Sequence, residues 1–397
     1  MKTEETLPST ASSERKSSAS EEVDLASRWH SVVRRRSFLQ GLGLAGAAAV
    51  PAGTLFAKDH KLTKGDAAIL RFLAAAELLE SDLWQQYNEL GGAVDAHDQP
   101  NSGNPDYIAA LSKLDGDMPQ YISDNTDDEI SHAAFINAYL QAKGEQPVNL
   151  DAFRTLPSSK ATGAQQIGRL TNLQSLNVDT SYYFRYRSTQ NPDLGATFPQ
   201  LINIMNQPAI PLKDGYAPTT IQAIANVAAF HFAMIEQGGS SLYPTLALQV
   251  SSVEVLRIVL SIGGTEIDHF SLWHDKLGNA IAPPVAPLFD PVTGLTFPNF
   301  NDLASQHNAQ LSPVDLAAAG QMFQTNLILA EPCQFLSSKL PPCSVIRPTS
   351  TRHSGAMAAA KGLSADNLFL GQPAAFFEAL KDLASAADAA ERDPQDE

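Results

Sequence analysis

Two stretches decide the reading of this chain: DDEISHAAFINAYL at residues 127–140 and GGTEIDHFSLW at residues 263–273. Each holds a glutamate and a histidine three apart, Glu129 with His132 and Glu266 with His269. That spacing puts both side chains on one helical face, one turn apart, so a carboxylate and an imidazole can reach the same ion. Only these two of the nine histidines follow a glutamate at that distance.

Outward from the two motifs, the apolar residues recur every three or four positions in four segments, arranged as two pairs. The first runs over about 62–90 and is stopped by Gly91 and Gly92; the second starts near Thr126 and ends at Gly144. The third begins near Thr219 or Thr220 and runs towards Tyr243, with Gly238 and Gly239 predicting close packing or a local distortion. The fourth carries a capping-box pattern at Ser251 and Glu254 and is expected to end at Gly278. Residues 144–218 are too many for a hairpin and predict a long crossover. No stretch shows clear strand alternation, so the expected class is all-α.

Each motif sits on the second helix of its pair, and each first helix adds a glutamate on its apolar stripe: Glu77, seven residues before Trp84, and Glu236, seven before Tyr243. A carboxylate among apolar residues must be paired, protonated or bound to a cation. Two divalent ions carry four positive charges, which the carboxylates of Glu77, Glu129, Glu236 and Glu266 balance, while His132 and His269 add one nitrogen each. Glu80 also lies on the apolar side, seven residues before Tyr87, and competes with Glu77. Taken singly, Glu129 could be the capping residue of Thr126, and His269 a core histidine.

The whole set resembles the ferritin-like di-iron carboxylate proteins, in which two helices give one glutamate each and two give a Glu-x-x-His. AAAELLESDLW (74–84), DDEISHAAFINAYL, AMIEQGGSSLY (233–243) and GGTEIDHFSLW are most similar to the branch containing plant desiccation-related proteins and exported bacterial ferritin-like proteins. The crossover segment VDTSYYFRYRSTQNPDLGATFPQ (178–200) resembles the bacterial group as well. The resemblance covers about 62–280 and favours Glu77 over Glu80, because the register to Trp84 matches the family spacing. It implies a four-helix bundle holding two iron ions, or manganese in their place, about 3.5–4 Å apart, with oxygen or peroxide as substrate. Iron or oxidant handling is the expected function, and a non-catalytic structural or desiccation-associated role is the alternative. The absence of a Cys-x-x-Cys pair argues against a rubredoxin-type module, and the long crossover and extra C-terminal region argue against a storage cage.

His231, five residues before Glu236, reads as a core or supporting histidine, and Tyr182, Tyr183 and Tyr186 as packing residues. The formal charge of −16 over 397 residues argues against a nucleic-acid partner, since the one dense basic run, Arg34 to Arg36, directly precedes an apolar stretch. That order of polar segment, arginine pair with Phe38 and Leu39, and Gly/Ala-rich run predicts a twin-arginine export signal over residues 1–57, cleaved after Ala52 or Ala57. An uncleaved membrane anchor is the competing reading. The Tat translocase would then be a partner during export, and the destination the periplasm or the cell exterior. Tat carries folded proteins, consistent with a cofactor inserted beforehand. Without residues 1–57 the chain keeps 20 Lys/Arg against 37 Asp/Glu.

Cys333 and Cys343 flank Pro341 and Pro342, and an oxidising compartment predicts a short-loop disulfide between them. The expected organisation is a signal over 1–57, a bundle over 58–280 and a C-terminal extension over 281–397, with helices near 314–330 and 373–390.

Overall fold

The computed structural model describes residues 61–93, 103–182, 200–300, 332–333, 339, 343–344 and 355–393. The expected export signal, the helix expected near 314–330, and Tyr183 and Tyr186 lie outside the described residues. The four long helices are α1 (Lys64–Gly91), α3 (Met118–Ala142), α4 (Pro218–Ala247) and α5 (Val253–Lys276), with a short α2 (Pro105–Leu111) between the first two. They pair as the sequence predicts, α1 against α3 and α4 against α5. No helix among the described residues is long and apolar enough to cross a membrane.

Thr63 caps α1, its Oγ1 accepting from Asp66 N at 3.0 Å. The Asp66 carboxylate in turn accepts from Ser251 N and Ser252 N, fixing the start of α1 to the turn between α4 and α5. This contact corrects the expected capping box. Ser251 is held by Asp66, and the N-cap of α5 is Ser252, whose hydroxyl accepts from Glu254 N and Val255 N.

Helix α3 begins eight residues before the expected start. Pro119 suits a first helical turn, and buried Met118 and Ile122 extend the apolar period backwards. Thr126 is therefore inside the helix, donating to Ile122 O at 2.6 Å and Trp84 O at 3.2 Å, and Glu129 is no capping residue.

Helix α4 runs unbroken through Gly238 and Gly239. A Cβ on Gly239 would lie 2.1 Å from Glu266 Oε2, and one on Gly263 would lie 2.7 Å from Tyr243 Cβ. Each helix thus gives up a side chain where its partner projects a functional one.

The crossover carries a two-stranded antiparallel pair, β1 (Leu176–Val178) with β2 (Ile204–Gln207). It is pinned to α1 by Asp82, whose buried carboxylate accepts from Leu170 N, Thr171 N, Thr171 Oγ1 and Gln86 Nε2, and pairs with Arg154 at 2.6 Å. Arg169 pairs with Glu89 beside it. Farther on, β3 (Leu288–Phe289) pairs with β4 (Thr296–Phe297), and β5 (Pro332–Cys333) with β6 (Cys343–Ser344). These strands, two to four residues long, are too short to show alternation in the sequence.

Helices α6 (Ala356–Ala365) and α7 (Ala374–Asp388) follow, and α7 lies along α1. Phe376 packs on Phe153 of the crossover and on Phe369, while Gln372 donates to Phe153 O and Leu170 O. The fold is mostly helical, with the C-terminal helices seated on the bundle.

Candidate metal centre

Each long helix brings its functional side chain inward. Glu77, Glu129, Glu236 and Glu266 are buried, while His132 and His269 are each 9% exposed. The six residues form two overlapping quartets whose ligand atoms lie within 4.8 Å of one another: Glu77, Glu129, His132 and Glu266; and Glu129, Glu236, Glu266 and His269. Glu129 and Glu266 belong to both. The arrangement therefore has two ends, each with one glutamate and one histidine of its own, and two carboxylates in common.

Both histidines turn Nδ1 towards the carboxylates. His132 Nδ1 lies 3.1 Å from Glu129, 3.4 Å from Glu77 and 3.7 Å from Glu266. His269 Nδ1 lies 3.1 Å from Glu129 and 3.2 Å from Glu236. The outward Nε2 of His269 meets Asp128 at 3.0 Å. The partly exposed imidazoles mark the solvent side of the site, between α3 and α5, which pack less closely on each other than either does on its own partner.

Asn125, one turn before Glu129, donates its amide to Glu129 Oε1 at 2.9 Å and Glu236 Oε1 at 3.0 Å, and accepts from Trp273 Nε1 at 2.6 Å. Tyr243 donates to Glu77 Oε1. The seven-residue spacing thus places Tyr243 against the glutamate of α1 and not against Glu236 on its own helix. Trp84 stacks on Trp273. Asp128 and Asn125 went unmarked in the sequence because their partners, His269 and Glu236, come from other helices. Asn125 at four residues before Glu129 was the one local signal.

The carboxyl of Glu80 is buried beside the cluster, with Oε1 lacking a partner, but it belongs to neither quartet. Burial, then the charges of Glu129, Glu236 and Glu77, hold its pKa well above the ordinary carboxylate value. Glu266 is raised for the same reasons, burial first and then Glu129. Glu129 is pushed to about 7 by burial and by the charge of Glu77. His132 is raised to about 12: burial opposes its charge, but Glu77 and Glu129 overcome it. His269 is likewise raised, by Glu236, Asp128 and Glu129 against burial.

A cation fits this set. Both carboxylate oxygens of Glu266 and Oε2 of Glu77 are buried with no hydrogen-bond donor, and such oxygens are costly unless a proton or a cation satisfies them. Oxygen and imidazole ligands suit iron or manganese. The His269–Asp128 contact is the outer support that metal-bound imidazoles usually have.

A family model for the ferritin-like domain matches residues 65–279, more than half of the chain. The chain belongs to the ferritin-like domain family. No curated protein and no solved structure matches it. The matched span of the ferritin-like domain runs from the first turn of α1 to just beyond α5, so it takes in all six residues and the crossover. Family and cluster together point to metal binding.

Outside the cluster, His231 is buried with Tyr87, and Tyr182 is a packing residue whose hydroxyl donates to Phe230 O. Cys333 and Cys343 face each other across the β5–β6 pair. No disulfide is among the described features, and the side chains of both cysteines lie outside them.

Proposed function

We propose that this ferritin-like protein holds two metal ions, iron or in its place manganese, and uses them to handle oxygen or peroxide in the cell envelope. The observation that carries the proposal is the pair of quartets sharing Glu129 and Glu266. Glu77 and His132 would hold one ion, Glu236 and His269 the other, and the shared carboxylates of Glu129 and Glu266 would serve both. Two such ions supply redox chemistry on one small oxygen species.

The residues around them have separable tasks. Asn125 orients Glu129 and Glu236, Tyr243 orients Glu77, and Asp128 fixes the ring of His269. Tight packing of α1 on α3 and α4 on α5 keeps bulk water from the carboxylates. The export signal read in residues 1–57 supports an envelope location, and the opposed backbones of Cys333 and Cys343 support the disulfide.

Peroxide consumption by iron- and manganese-loaded protein, measured beside Glu129→Gln, tests the reading. Loss of a carboxylate common to both quartets should lower the rate by at least about 100-fold, the upper end of what a supporting residue alone costs. Equal rates would overturn the proposal, and a parent that binds no metal would favour the structural role.

A further inference from the structure

The cluster is joined to a second buried pair that the proposed function does not use. Tyr87 of α1 and His231 of α4 are both fully buried, and the Tyr87 hydroxyl lies 2.7 Å from His231 Nδ1. Between this pair and the glutamates runs a continuous aromatic stack. Trp273 donates to Asn125, which touches Glu129 and Glu236. Trp273 stacks on Trp84 with centroids 5.3 Å apart, and Trp84 lies 5.7 Å from Tyr87. Phe232 fills the angle, 4.7 Å from Trp273, 4.9 Å from Trp84 and 4.6 Å from Tyr87.

We propose that Tyr87 is a redox-active tyrosine, reached through Trp273 and Trp84, with His231 as the acceptor of its proton. The place where its oxidant arises rests on the metal-centred reading above; the chemistry of the pair does not. One electron passes from Tyr87 through the indoles to a one-electron oxidant of the transition-metal class at the cluster. The phenolic O–H bond breaks and an N–H bond forms at His231 Nδ1. Tyr87 becomes a neutral phenoxyl radical, His231 an imidazolium, and the oxidant is reduced by one electron.

The stack fixes where the electron is lost. Trp273 Nε1 donates to a neutral amide, and Trp84 Nε1 has no partner, so neither indole has a base to take its proton. Tyr87 has one at proton-transfer distance. Burial, and then Tyr107, raise the Tyr87 pKa well above the ordinary value, while burial lowers His231 to about 3, so the resting pair is neutral. A phenol radical cation is a far stronger acid than an imidazolium, so even this weak base accepts the proton. Tyr121 also meets Trp273, edge-on at 6.4 Å, but the Lys276 ammonium over its ring disfavours loss of an electron.

The chain has three tryptophans, Trp29, Trp84 and Trp273, so in the Trp29→Phe full-length chain light absorbed by indole alone ionises only the stack. Flash photolysis of this metal-free protein, with hexaamminecobalt(III) taking up the ejected electron and leaving no oxidising radical, should show the indole radical decaying as a tyrosyl signal grows. Tyr87→Phe should abolish that growth, His231→Gln should slow it at least tenfold, and Tyr121→Phe should leave it unchanged. No tyrosyl signal in the Trp29→Phe chain, a signal that survives Tyr87→Phe, or an unslowed His231→Gln would overturn the proposal. Because no metal is present, failure here is distinct from failure of the metal-centred reading, which the metal content of the parent decides.

Discussion

Gly239 of α4 stands where any side chain would strike Glu266 of α5, with 2.1 Å from a built Cβ to Oε2. Gly264 of α5 has nothing within 4 Å of such an atom. Alanine is about 1 kcal/mol better than glycine inside a helix, so Gly264→Ala should stabilise by up to that amount. Gly239→Ala should destabilise, by about 1–3 kcal/mol for an overfilled contact, and should displace a shared carboxylate and lower metal content. Denaturation midpoints and metal analysis of the two variants check the opposite signs.

Asp128 should govern one end of the site alone. It contacts His269 and not His132, so Asp128→Ala should weaken one of two bound ions by about 10–100-fold. Chelator competition would then resolve two affinities where the parent gives closer ones. An unchanged pair of affinities would contradict this role.

Removing Asp82 should loosen the crossover without touching the cluster. Its carboxylate serves two backbone amides, Thr171, Gln86 and Arg154. Asp82→Ala leaves a partly buried cation and buried donors unpaired, a loss of about 3–5 kcal/mol by analogy with broken buried ion pairs. Urea unfolding of metal-free protein measures it.

The site carboxylates and imidazoles make metal-free and metal-loaded protein respond differently to pH. Glu80, Glu129 and Glu266 start from 4.5 and His132 and His269 from 6.5, and all five are raised in the folded state. The folded protein then keeps protons that the unfolded chain has released, so their contribution is full below the unfolded values and is lost as pH rises towards the folded ones. Glu77 is lowered: burial opposes its charge, but His132 first, then hydrogen bonds from Glu129 and Tyr243, outweigh it, and its contribution is already constant above 4.5. Metal-free protein should therefore lose thermal stability between about pH 5.5 and 8. Metal-loaded protein should show a flat or opposite slope, because ions replace the protons. Equal slopes would contradict a cation at these groups.

What the sequence revealed was periodic and local. Apolar stripes were enough to place four helices, and the i, i+3 spacing of Glu129 with His132 and of Glu266 with His269 marked four of the six residues that converge. Periodicity could not separate Glu77 from Glu80, since both point to the same side and both carboxyls are buried; the family spacing to Trp84 favoured Glu77, and only Glu77 belongs to a quartet. Partners from other helices were illegible for the same reason: Tyr243 to Glu77, Asp128 to His269, Asp66 to Ser251. The early start of α3 was missed because Thr126 mimics a cap while its hydroxyl serves Trp84 and Ile122.

The central claim is that six residues hold two ions, and metal content per chain tests it most directly. Full-length protein from metal-replete cells should contain two equivalents of iron or manganese, and His132→Ala/His269→Ala should contain little of either. A metal-free parent, or a double variant with the parent's content, would contradict the account.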